Sequence, residues 1–203
     1  MAITGVEWNL FDRVGRVKDG QWYEHHFAGC NYRLTQLQAV LLLHQLKRLE
    51  EQTRKRDENG KLLNSLLGSI KGIRPLTRGR GETIHTYHLY IFRYDKSEFN
   101  GLSKKDFALA LAAEGVPAFM GYPQPIYKQP LFQQKNFMCY AIPEDVDYSS
   151  VKCPVAEQAC YEEGIWILQH AMLGSKEDMI AFAEAIRKIQ RSVNQKTESH
   201  HGL

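Results

Sequence analysis

The feature that most constrains this chain is a twofold change of pattern between residues 34 and 70. From Leu34, apolar residues recur at helical spacing (Leu34, Leu37, Leu41), and Ala39–Leu43 is apolar on every face, which predicts a deeply buried helix. After Leu46 and Leu49 the chain turns polar, and ten of the fifteen residues from Lys47 to Lys61 are charged. Four pairs stand four apart: Lys47 with Glu51, Glu50 with Arg54, Glu51 with Lys55, and Arg54 with Glu58. Each pair adds about 0.2–0.5 kcal/mol to an exposed helix, so this stretch predicts a helix in water. Leu62, Leu63, Leu66, Leu67 and Ile70 then restore an apolar stripe. One helix, or two joined near Gly60, thus runs from one core across solvent to another, as a connector between two lobes does.

The flanking segments divide unequally. The first 30 residues have no sustained periodicity, and their aromatic stretches (Val6–Phe11, Gln21–Phe27) need something else to pack against. Downstream, Thr86–Tyr94 is aromatic and β-branched, apolar on both faces, and predicts a strand interior to a sheet. Ser103 caps a helix that runs to Glu114 and ends at Gly115. Val116–Tyr122 predicts a second strand, Tyr122–Pro130 an ordered Pro-rich loop, Pro154–Glu163 a short helix and Ile165–Leu168 a third strand. Ser175 and Asp178 form a capping box for a last helix, whose Met179, Phe182, Ile186, Ile189 and Val193 make one packing face. Arg187, Lys188 and Arg191 suit the negative end of that helix, and the tail after Asn194 is expected to fray. This order gives an α+β or α/β lobe.

Composition excludes several classes. With 203 residues, 43% of them hydrophobic and a net charge of +3, the chain is neither low-complexity nor strongly basic. No apolar run approaches the roughly 18–20 residues of a membrane span. Arg74, Arg78 and Arg80 lie in a Gly-rich stretch with no interleaved aromatic residue, which predicts a solvated loop, and no nucleic-acid partner is expected. No secretory leader is readable, and Cys30, Cys139, Cys153 and Cys160 lack metal-site spacing, so free thiols and a cytoplasmic location are expected. His85 and His88 stand three apart on the expected strand and diverge, as do the adjacent His25 and His26. Glu144, Asp145 and Asp147 suit a solvated acidic turn. No metal site, nucleotide loop or nucleophile motif is present, and spacing alone assigns no catalytic residue.

An ordered set of motifs goes further. Gly29-Cys30-Asn31-Tyr32-Arg33-Leu34, followed by Gln38-Ala39 and Gln45-Leu46-Lys47-Arg48-Leu49, resembles the G-x-N-Y-R…Q-A…Q-L-x-R-L signature of the DegT/DnrJ/EryC1/StrS family. Gly15-Arg16, Thr86-Tyr87-His88-Leu89-Tyr90, Glu114-Gly115-Val116-Pro117, Gly121-Tyr122 to Pro130-Leu131-Phe132, Cys153-Pro154-Val155-Ala156-Glu157 and Trp166-Ile167-Leu168-Gln169-His170 continue the resemblance. It implies a pyridoxal-phosphate-dependent aminotransferase acting on keto sugars, often nucleotide-linked, or on cyclitols. The Gly-Tyr-Pro loop looks closer to the members that act on cyclitols or related carbocycles.

The resemblance also implies that the chain matches only the C-terminal half of a fold-type I transferase. The family's large domain, with the lysine that bonds the cofactor, would precede this region. Lys18, the one lysine before Asn31, lacks the family's Ser/Thr and Gly-rich context. The expected division is therefore 1–33 as a remnant of the large cofactor domain and interface loop, 34–70 as connector, 71–194 as small domain and 195–203 as disordered tail. By resemblance, Asn31 reaches the cofactor phosphate of a neighbouring subunit in a homodimer, although a loop Asn also suits capping of the helix near Leu34. Tyr122 and, more remotely, His88 are the expected substrate contacts. The chain alone would be inactive. Two alternatives stay open: a deoxysugar dehydratase of the same family, and a non-catalytic partner of a complete relative.

Overall fold

The computed structural model describes residues 34–135 and 146–198. The chain divides into two compact units, residues 1–48 and 49–203. Asn31, His25, His26, Cys30, Cys139, Glu144 and Asp145 lie outside the described residues.

Helix α1 (Gln36–Gly68) is continuous through Gly60. Its start is a capping box one residue before it. The Thr35 hydroxyl accepts from the Gln38 N–H at 3.2 Å, and the Gln38 amide oxygen accepts from the Thr35 N–H at 3.0 Å. The cap is thus Thr35. The apolar pattern of Leu34–Leu43 calls for burial, and a lobe without its partner is expected to expose it; exposure is what the structure has. Leu34, Leu37, Val40, Leu41, Leu42 and Leu43 are all exposed, Leu37 by 80%.

The charged middle of α1 departs from expectation in part. Of the four expected pairs, Glu50–Arg54 closes. Lys47–Lys55 is exposed or half-buried, as expected of a helix in water, whereas Arg56, Asp57, Asn59 and Gly60 beyond it are buried and packed. Gly60 is a packing slot: a Cβ there would lie 2.3 Å from the Tyr87 ring. Asn59 donates to the carbonyls of Met172 at 2.9 Å and Gly174 at 3.0 Å. Leu63 and Leu67, one and two turns on, are fully buried, as the apolar stripe requires.

Four antiparallel strands follow in the order β1-β2-β4-β3: β1 Ile73–Pro75, β2 Leu89–Tyr94, β3 Ala118–Phe119 and β4 Gly164–Leu168. β2 is central, but it is buried on one face only. Tyr90, Phe92 and Tyr94 enter the core, whereas Leu89, Ile91 and Arg93 alternate to the other side. β4 pairs with it in register and sends Ile165 and Ile167 the same way. The core is closed by α1, by α2 (Lys104–Ala113) through Phe107 and Leu111, and by α5 (Lys176–Glu198) through Met179, Ala183 and Ile186. Tyr94 stacks on Phe107 at 4.1 Å and Phe99 meets both rings. Truncating Phe107 to Ala would cost about 3–5 kcal/mol on this packing.

The expected caps are present. The Ser103 hydroxyl accepts from the Asp106 N–H at 3.1 Å, and Ser175 and Asp178 exchange bonds at 2.7 and 3.2 Å. Gly115 ends α2 with φ 85°, the left-handed conformation a glycine tolerates. α5 continues to Glu198, beyond the point where fraying was expected. Arg187, Lys188 and Arg191 therefore lie mid-helix and serve other elements: Arg187 donates to the Leu66 carbonyl at 3.2 Å, capping α1, and Lys188 pairs with Glu114 at 2.7 Å. Two short helices, α3 (Pro130–Gln133) and α4 (Pro154–Gln158), the latter continued by a π-helical turn at Ala159–Glu163, complete the described fold. The architecture is a helix-backed antiparallel sheet, an α+β arrangement.

Candidate functional site

The sheet face opposite the helices carries the sequence-predicted substrate residue Tyr122. On this face β4 contributes Trp166, which stands in register with Ile91 of β2 and Phe119 of β3. Tyr122, 66% exposed, meets the Trp166 ring edge-on at 4.8 Å and 85°. An edge-to-face pair of this kind adds about 0.5–1.5 kcal/mol beyond area burial. Gly121 makes the approach possible. Its φ of 73° is left-handed, and a Cβ there would lie 2.8 Å from the indole. The result is an exposed aromatic ledge with a phenol at its rim.

Three anchors hold the surrounding loop. Lys104, the first residue of α2, is buried, and its ammonium donates to the Met120 carbonyl at 2.9 Å and to the Cys160 carbonyl. Burial pulls this ammonium below the usual lysine range, with partial compensation from Cys160 and Glu162. Tyr127, also buried, donates its hydroxyl to Glu157 and accepts from the Cys153 N–H at 3.3 Å. Burial and the carboxylate both raise the Tyr127 phenol, and the same bond, with Lys128 at 3.3 Å, lowers Glu157. Finally, Arg93 grips Glu163 through two bonds at 2.5 and 2.8 Å, fixing the π-helical turn to β2.

His88 occupies a different place. The expected strand begins at Leu89 and not at Thr86, so His85 and His88 precede β2 and do not stand on it. His88 is exposed at the end of β2, about 10 Å along the strand from Ile91 at 3.3 Å per residue.

The connection from β1 to His88 is pinned by one carboxylate. Asp57 of α1 binds Arg78 at 2.8 Å, the His85 N–H at 3.0 Å and Lys61 at 2.7 Å. Arg78 continues to Glu82 at 3.0 Å. The expected solvated arginine stretch holds for Arg74 and Arg80, which are exposed, and is corrected at Arg78, whose side chain is 20% exposed and ion-paired. Burial raises the Asp57 carboxyl, but bonds from Lys61 and His85 and the charge of Arg78 outweigh it and hold it below its ordinary value. At the far end, Tyr87 adopts φ 45°, its N–H donates to His85 Nδ1 at 3.0 Å, and its ring lies on Gly60.

Sequence reasoning missed Asp57, Arg78 and Lys104. A charged run gives no sign of which members turn inward. The available signal for the first was the apolar stripe of Leu63 and Leu67, which continues back at steps of three and four through Gly60 to Arg56 and Asp57. Asp147 forms an exposed turn with Ser149, as the acidic-turn reading expected. Cys153 and Cys160 carry free thiols. Among the described residues no group of acidic, His and Cys side chains converges as a metal site. No described helix is long and apolar enough to cross a membrane.

Comparison with known proteins places this arrangement in a class. The chain is 30% identical to the crystal structure of 3-amino-5-hydroxybenzoic acid synthase, with a TM-score of 0.67 over 88% of this chain and 45% of that one. The fold therefore matches part of an aminotransferase structure. Residues 6–187 match the family model of the DegT/DnrJ/EryC1/StrS aminotransferase family, and the chain belongs to that family. It is similar to 3-amino-5-hydroxybenzoate synthase of Amycolatopsis mediterranei, at 31% identity over 85% of this chain and 42% of the relative. It is also similar to the L-glutamine:2-deoxy-scyllo-inosose aminotransferase of Streptoalloteichus tenebrarius, at 32% over 86% and 40%. The chain spans less than half the length of these curated relatives.

Aminotransferases of this family use pyridoxal phosphate. The described residues do not by themselves fit it. Lys104, the buried lysine among them, has its ammonium engaged by two carbonyls, and the charge of Arg78 is paired with Asp57 through Nη1 and Glu82 through Nε, its buried Nη2 alone having no hydrogen-bond partner.

Proposed function

We propose that this chain is the C-terminal portion of a pyridoxal-phosphate-dependent aminotransferase that acts on a cyclic ketone of the keto-sugar or cyclitol class. The observation that carries the reading is the exposed Tyr122–Trp166 ledge, built by Gly121, within a chain whose similar relatives include an L-glutamine:2-deoxy-scyllo-inosose aminotransferase. A flat, apolar indole edge with a phenol donor at its rim suits one face of a polyhydroxylated ring: the ring carbons lie on the aromatic surface and a hydroxyl meets the phenol. Residues 1–33, with Asn31 toward the cofactor phosphate of a neighbouring subunit, contribute to the cofactor side; 34–70 connect; 71–194 form the small domain. Supplied by the cofactor is the electron sink that lets an amino group pass to a ketone. What the described residues do is bind and orient. Tyr122 fixes the ring, and the anchors at Lys104, Tyr127 and Arg93 hold its loop.

The 203-residue chain on its own is expected to transfer no amino group. The test joins it behind the N-terminal lobe of the Streptoalloteichus relative and measures amino transfer from L-glutamine to 2-deoxy-scyllo-inosose. Activity that falls in Tyr122→Leu through a raised KM supports the reading. Activity insensitive to Tyr122→Leu contradicts it.

A further inference from the structure

Lys104 is placed where a lysine is least favoured. It is the first residue of α2, so its charge adds to the positive end of the helix dipole. The residue is only 8% exposed, and lysine is among the side chains most rarely buried. Its partners are two neutral carbonyl oxygens, Met120 at 2.9 Å and Cys160. A methionine of similar length would fill the same space without the cost of desolvating an ammonium, and buried charges replaced by apolar groups are often neutral or stabilising. The arrangement is therefore unfavourable as a device for stability alone.

Its geometry shows what it does. Met120 lies between the last residue of β3 and Gly121, so its carbonyl belongs to the peptide that leads directly into Gly121 and Tyr122. Cys160 lies in the π-helical turn before β4, the strand that carries Trp166. One ammonium thus ties together the two segments that deliver the two halves of the aromatic ledge. The peptide it grips also enters a left-handed glycine, a conformation with no strand partner of its own to hold it.

We propose that Lys104 is a positioning residue that sets the pose of Tyr122 on Trp166, and through it the substrate-facing ledge. Its functional meaning rests on the reading of Tyr122 given above. Its structural content does not, and the two are tested separately.

The experiment uses the full 203-residue chain with Trp8 and Trp22 replaced by Phe, so that Trp166 is the sole indole. Emission wavelength and acrylamide quenching of Trp166 are compared in the parent, Tyr122→Leu, Lys104→Met and Lys104→Arg, with far-UV circular dichroism as the check on folding. Tyr122→Leu is expected to shift the emission to the red and raise quenching. Lys104→Met should reproduce that shift with Tyr122 still present, and Lys104→Arg should recover part of the parent signal. If Lys104→Met fails to fold, Lys104→Gln, whose amide keeps two donors but no charge, is read in its place and should give an intermediate shift. Parent-like emission and quenching in Lys104→Met or Lys104→Gln, beside a shifted Tyr122→Leu, would overturn the proposal, and so would a Tyr122→Leu that shifts nothing. In the joined enzyme, a KM for 2-deoxy-scyllo-inosose that ignores Tyr122→Leu would instead sink the functional reading while leaving the Lys104 result standing.

Discussion

Replacing Asp57 with Asn tests the central polar anchor of the fold. The Asp57 side chain is 7% exposed and serves three donors: Lys61, Arg78 and the His85 amide. Breaking a buried ion pair by removing one partner costs about 3–5 kcal/mol, chiefly because the other charge is stranded. Here the stranding is incomplete. Arg78 keeps Glu82 at 3.0 Å, and the Lys61 side chain, 56% exposed, returns to water. The Asn amide oxygen also still accepts from His85. The expected loss is therefore about 2–3 kcal/mol, below the full penalty. With a urea dependence of about 2 kcal/mol per M, the unfolding midpoint should fall by about 1 M. Hydrogen exchange at the His85 and Tyr87 amides supplies a local readout and should speed up before the core amides do. A stability change below about 0.5 kcal/mol, the size of an ordinary surface substitution, would refute the claim that this carboxylate pins the connection to β2.

Other outcomes follow from the same structure. Because the folded Asp57 carboxyl is held below its unfolded value of 3.8, its contribution is complete above that value and lost as pH falls through the folded one; acid titration should unfold the wild type over a window that Asp57→Asn lacks. Gly60→Ala should destabilise, against the usual gain of about 1 kcal/mol for helical Gly→Ala, because its Cβ would meet the Tyr87 ring at 2.3 Å; urea midpoints decide the sign. Gly121→Ala should expose Trp166 and redden its emission without unfolding the core, since φ 73° and a 2.8 Å contact both oppose a side chain there. The exposed leucines of α1, Leu37 and Leu41 among them, should drive association of the isolated chain, and Leu37→Glu/Leu41→Glu should reduce it. A clean wild-type monomer in sedimentation would contradict that last expectation.

The helices and caps were legible because their signals are local. Ser103, Ser175–Asp178 and Gly115 act within one turn of the residues they terminate, and the face of Met179, Ile186 and Ile189 is a plain periodicity. β1 was not legible: three residues, one of them Pro75, hold no alternation to read. β2 was read as buried on both faces because Leu89 and Ile91 are as apolar as Tyr90 and Phe92, and only the sheet's one-sided helix layer separates them. The solvated reading of the charged run holds for Lys47–Lys55 and fails at Arg56–Gly60, because a charge count cannot tell a solvated carboxylate from one matched by Arg78, twenty-one positions away. Of the site, Gly121-Tyr122 was legible as a motif and its ledge was not, since Trp166 joins it only through the pairing of β3 with β4. Lys104 gave no signal at all: a lysine after a capping serine normally points to solvent.

We propose above that this chain carries substrate-orienting groups of an aminotransferase and not the lysine that bonds the cofactor. Titration of the purified 203-residue protein with pyridoxal phosphate, followed by visible absorbance, tests it most directly. The expected result is the spectrum of free cofactor, with L-glutamine causing only the change it causes in a protein-free control. A new lysine-bound band that bleaches when L-glutamine is added would contradict it.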